Sequence, residues 1–166
     1  MVEFFSFVLV NLPLILLAGA LAWTWILWIM GKGDFGESCT RKLLLLGVGF
    51  TGIWGFSLNI FFPEIVNEYF DWPLDTFKNR MGAADLAIGV AGITAYWRDY
   101  DYCLAVCIIA FFFYPGLLID HIIQLFYYGS PSLGNVDFLI SFDLLITAFL
   151  ISSIYSWSQA RGRTND

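Results

Sequence analysis

The residues able to do chemistry in this chain are few, and most of them lie inside apolar sequence. The stretch YPGLLIDHIIQLFYYG, residues 114–129, holds Asp120, His121 and Gln124, and His121 is the only histidine in the protein. An imidazole ordinarily titrates near neutral pH, so beside carboxylates it suits a proton relay, a weak divalent-metal site or recognition of a lipid or quinone headgroup. Three further polar groups interrupt other apolar segments: Asn59 in LLLLGVGFTGIWGFSLNIFF, Asp85 in MGAADLAIGVAGI and Asp143 in FLISFDLLITAFL. Ionisable groups in such surroundings cost several kcal/mol if they face lipid, so they are expected to face one another.

The spacing supports shared faces. Gly82, Asp85, Gly89 and Gly92 recur at 3–4–3 intervals, and Gly52, Gly55 and Asn59 repeat the pattern. Such glycine stripes mark where membrane helices approach closely. Leu117, Asp120, His121, Gln124 and Tyr128 share a second helical face beyond a Pro115–Gly116 pair, which predicts a bend. Asp143 and Thr147 form an i, i+4 pair. Each polar group also has a plainer reading. Asp85 would be solvated at the membrane surface, Asn59 and Gln124 would be glue between helices, Asp137 a helix cap, and Asp120–His121 a neutralised structural pair.

The elements that must position these groups are apolar segments at about 4–30, 42–62, 81–97, 102–128 and 136–158. Each is near the roughly 20 residues a membrane helix requires. The expected fold is therefore all-α, a polytopic membrane helix bundle with about five transmembrane helices in a single membrane domain. Residues 63–80, PEIVNEYFDWPLDTFKNR, read as an amphipathic connection lying among headgroups. The first segment carries Glu3 and runs to Met30, too long and wrongly charged for a cleaved leader, so it reads as a retained span.

Composition agrees. Of 166 residues 59% are hydrophobic and 13% charged, and the mean hydropathy is +0.73, which leaves too little polarity to cover a water-facing surface. The net charge of −6 and the lack of a basic patch exclude nucleic acid as a partner. Five spans place Lys32, Arg41, Lys42, Arg98, Arg161 and Arg163 on one side, with Lys78 and Arg80 opposite. The six-cation side is then cytoplasmic, with the N-terminus outside and the C-terminus inside. On this arrangement Asp85, Asp120 and Asp143 occupy the outward half and the cytoplasmic half holds no ionisable group. The three cysteines show no ligand spacing: Cys39 is placed in a loop, and Cys103 and Cys107 read as small packing residues or, less simply, a redox or metal pair.

The segments FFPEIVNEYFDWPLDTFKNRMGAADLAIGVAGI and DHIIQLFYYGSPSLGNVDFLISFDLLI resemble a family of small bacterial inner-membrane proteins known only as a domain of unknown function. More distantly they look like the DoxX-like four-helix membrane proteins. The resemblance covers about residues 45–150 and rests on Phe61-Phe62-Pro63, Trp72-Pro73, Phe77, the Gly82/Gly89/Gly92 helix, His121, Gly134-Asn135 and Asp143. It implies a bacterial inner-membrane location. In that family's pattern a histidine precedes the Phe-Phe-Pro and a glutamate precedes the glycine helix, a set suited to a divalent metal. Here those positions hold Asn59 and Arg80, so His121 and Asp143 remain as weak metal candidates and Arg80 is expected to pair with Asp85 or Asp143.

Three functions compete. The first is an ion, proton or small-ligand site built from His121, Asp120, Asp143, Asp85, Asn59, Gln124 and Arg80. The second is a non-catalytic accessory or scaffold subunit, with other membrane subunits or further copies of the chain as partners beside the lipid bilayer. The third is a membrane enzyme, for which no Ser-His-Asp, HExxH, CxxC or nucleotide-binding loop is present. No cofactor is specified.

Overall fold

The computed structural model of the protein describes residues 2–64, 76–123 and 133–163, with side chains for 11–64, 79–119, 122–123 and 140–163. Among these residues the chain forms five helices and no strand: α1 (Val2–Ile29), α2 (Phe35–Phe61), α3 (Thr76–Ala95), α4 (Tyr100–Ile123) and α5 (Leu133–Arg163). Four of them, α1, α2, α4 and α5, are long and apolar enough to cross a membrane. The fifth, α3, carries Lys78, Arg80 and Asp85 within its 20 residues.

The helix bounds shift several expectations. α2 begins at Phe35, well before the apolar run, because Asp34 caps it by accepting a 2.9 Å hydrogen bond from the Glu37 amide. Gly31 and Gly33, at φ 66° and 84°, provide the left-handed turn that separates α1 from this cap. Cys39, expected in a loop, therefore lies inside α2 and is 3% exposed. α3 begins at Thr76, so residues 76–80 of the connecting segment are already helical. Asp85 is then about 13 Å along α3, near its middle. α4 runs unbroken through Pro115.

Residues Leu43–Phe50 of α2 are π-helical. In this wider spiral the Thr51 hydroxyl donates to the carbonyl five residues back, that of Leu46, at 3.3 Å. α3 packs along this stretch and along the α-helical half that follows, in the most extensive helix pairing of the fold. Leu43, Leu44 and Val48 are fully buried there, against Ile146 of α5 and the Tyr114 region of α4. The outer surface is apolar as well: Trp25, Phe50, Trp97 and Phe112 are all exposed, which suits helices long and apolar enough to cross a membrane.

One end of the bundle collects the cations. The Arg41 guanidinium donates to Glu37 (2.9 Å) and to the carbonyls of Tyr96 (2.9 Å) and Arg98 (2.6 Å), and it lies 5.1 Å from the Trp157 ring centre. It thus satisfies carbonyls just past the C-terminus of α3 while touching α5. Arg98 lies over Tyr102 and Arg161 over Tyr100, and Tyr100 stacks edge-on against Trp157. Arg41→Leu is expected to cost about 3 kcal/mol through the lost charged hydrogen bonds, and Arg41→Lys to restore less than half of it, since an ammonium lacks the planar fork. Thermal unfolding in mild detergent measures both.

Candidate functional site

The pairing of α2 with α3 creates the site. A methyl group placed on Gly52 would lie 2.6 Å from the Asp85 carbonyl oxygen and 2.7 Å from the Gly89 Cα, and one on Gly92 would lie 2.6 Å from the Leu44 carbonyl. The backbones are in contact along this seam, and Gly55 completes it: its missing side chain is the space that the Asp85 carboxylate occupies, 2.7 Å from a hypothetical Cβ. Asp85 is consequently 9% exposed, and the reading of it as a solvated surface acid does not hold.

Asn59, one turn beyond Gly55, is 7% exposed. Its amide nitrogen donates to the Gly55 carbonyl (3.0 Å) and to Asp85 Oδ2 (3.2 Å). The Gly55 carbonyl can only accept, so it is the amide nitrogen that faces it. Asn59 Oδ1 is then left buried with no hydrogen-bond partner among the described residues. Asn59 therefore does serve as a bond between helices, and it also presents an unused acceptor to the interior.

Asp143, 3% exposed and about 15 Å along α5, brings a second carboxylate within electrostatic reach of Asp85. The Thr147 hydroxyl bonds the Asp143 backbone carbonyl at 2.7 Å, so that i, i+4 pair stabilises the helix turn rather than the carboxylate. Tyr114, 3% exposed, sits within reach of both acids, and its hydroxyl donates to the Gly47 carbonyl of the π-helical stretch at 3.4 Å. Its role is absent from the sequence reading, although a signal was available: Tyr114 precedes His121 by seven residues on one helical face, alongside Leu117.

Four candidates lie elsewhere or outside what is described. Arg80 is exposed and, among the described residues, pairs with neither Asp85 nor Asp143. The backbone of α4 continues through Asp120 and His121, whose side chains lie outside the described residues, as does Gln124 entirely. No group of three or more His, Cys, Asp or Glu side chains suited to a metal ion occurs among the described residues.

The opposite end holds an ionisable group that the sequence pattern missed. Lys42, on the six-cation side, is 4% exposed, donates to the Ser38 hydroxyl (2.6 Å) and carbonyl (3.2 Å), and lies 5.2 Å from the Trp23 ring centre. The half of the bundle expected to lack buried charge thus contains one. Ser38 four residues earlier was the available clue. Cys103 donates to the Ala95 carbonyl at 3.3 Å and Cys107 is buried, and all three cysteines are free thiols.

An all-α bundle with four helices of membrane-spanning length, closed over a glycine-lined carboxylate, defines the class. The chain belongs to a family of unknown function, DUF6790, whose family model matches residues 10–163, well beyond the stretch that carried the sequence resemblance. No curated protein and no solved structure matches it.

Proposed function

We propose that this chain is a multi-pass protein of a bacterial inner membrane that binds a small hard cation between α2, α3 and α5. The observation that carries the reading is Asn59 Oδ1, a buried acceptor with no donor among the described residues, set beside the Asp85 carboxylate. Asp143 adds further acceptor oxygens in the same interior. Oxygen atoms of amides and carboxylates are the ligands that Na⁺, Mg²⁺ and Ca²⁺ prefer, and a cation would compensate the cost of burying the acids. Asn59 and the glycines of the seam hold the donors in place, and the apolar exterior excludes competing water.

The orientation follows from the cations gathered around Trp157 and Tyr100, which the positive-inside preference assigns to the cytoplasm. The site then lies toward the outer end of α2, two residues from Phe61, and α3 counts as a fifth span.

Thermal unfolding in choline chloride, compared with NaCl, MgCl₂ and CaCl₂ at matched ionic strength, tests the proposal. One of the three cations is expected to stabilise the wild type by about 2–3 kcal/mol at a hundredfold excess over its Kd. Asp85→Asn should remove that increment while leaving the helical content intact. Equal stability in all four salts, or an unchanged increment in Asp85→Asn, overturns the reading. Stabilisation by Zn²⁺ alone would point instead to a nitrogen or sulfur ligand.

A further inference from the structure

Between α4 and α5, on the lipid-facing side, lies a groove of about 430 Å³. Leu104, Ile108 and Phe111 form one wall and Ile151 and Ile154 the other, and Ile108 and Ile151 are 51% and 46% exposed. Along α5 the groove extends from Thr147 to Ser158, about 16 Å, roughly parallel to the helix axes. Its mouth is formed by Tyr100 and Ser158, and the Arg161 guanidinium lies 4.3 Å from the centre of the Tyr100 ring.

We propose that this groove seats one acyl chain of an anionic phospholipid whose phosphate lies at the Tyr100–Arg161 mouth. An apolar furrow within a bilayer is filled by whatever flexible apolar chain surrounds it, because an unfilled one forfeits its van der Waals contacts. Acyl chains run along the bilayer normal, which is also the direction of the groove. The charge at the mouth selects the headgroup. Among the described residues this end carries Lys32, Arg41, Lys42, Arg98, Arg161 and Arg163 against Asp34, Glu37, Asp99 and Asp101, an excess of two cations in a chain whose net charge is −6. The Tyr100 hydroxyl and Ser158 add phosphate-compatible donors at the same point.

Native mass spectrometry of the delipidated full chain, supplied with equal phosphatidylglycerol and phosphatidylcholine, tests this. One bound phosphatidylglycerol per chain is expected, preferred about fivefold over phosphatidylcholine. Ile151→Trp and, independently, Ile108→Trp should abolish the bound lipid by filling the groove. Ile26→Trp, at an equally exposed position on α1, should retain it. Arg161→Gln should keep a bound lipid and bring the two headgroups to parity. No bound lipid, equal binding of both lipids by the wild type, retention in both groove variants, or a lipid-free dimer of the wild type overturns the proposal. If one groove variant fails to fold, the other decides.

Discussion

Gly52→Ala is expected to be among the most damaging single-methyl changes at the described glycines. Alanine favours a helix over glycine by about 1 kcal/mol, so local propensity alone predicts stabilisation. The seam reverses the sign. The added carbon would sit 2.6, 2.7 and 2.8 Å from three backbone atoms of α3, and no rotamer change can relieve contacts made by backbone. Ordinary carbon contacts need about 3.5 Å or more, so α2 and α3 must separate by roughly 1 Å. That displacement also stretches the 3.2 Å Asn59–Asp85 bond. The expected loss is about 3 kcal/mol or more, seen as a lower unfolding temperature and aggregation during purification. Gly116→Ala and Gly19→Ala, with nothing within 4 Å of the new atom, should be neutral or slightly stabilising. If Gly52→Ala behaves like these controls, α2 and α3 do not pack as described.

Asn59→Asp should come close to it, and a second substitution should rescue it. Asn59 contributes the two N–H groups that bond Gly55 and Asp85. A carboxylate in its place removes both donors and sets a second acid against Asp85 in a space that admits almost no water. An uncompensated buried charge costs about 3–5 kcal/mol. Combining Asn59→Asp with Asp85→Asn restores one amide and one carboxylate facing each other, with the charge moved from α3 to α2. The double variant is expected to recover more than half of the loss, a coupling that two independent sites would not show. Additive losses in the double-mutant cycle would mean that the two side chains do not meet. Unfolding at fixed pH in the same detergent, with choline chloride as the salt so that no bound cation compensates either acid, gives all four corners of the cycle.

Much of this could be read from sequence because it depends on local periodicity. The 3–4–3 spacing of Gly82, Asp85, Gly89 and Gly92, and the matching Gly52, Gly55 and Asn59, placed small and polar residues on single helical faces before any partner was known. Helix geometry makes that inference safe, since residues three and four apart must lie together. The gathering of Arg41, Arg98 and Arg161 at one end was equally legible, because alternating spans sort loop charges between two sides.

What the sequence determined by itself is the class: apolar segments of membrane length, their number within one, and the faces of α2 and α3 that carry small and polar residues. Only the tertiary structure decided which faces meet. Asn59 donates to Asp85 because the glycine seam brings two backbones into contact, while Arg80, five residues before Asp85 and one residue off its face, stays outside. Lys42 reads as an interfacial cation in sequence, yet α2 begins a full two turns earlier and packing against Trp23 buries it. The π-helical stretch, with Tyr114 bonded to its Gly47 carbonyl, has no local signature at all. The physical reason is the same in each case: a helix face is a property of a few consecutive residues, whereas the partner it finds is set by the shape of the whole bundle.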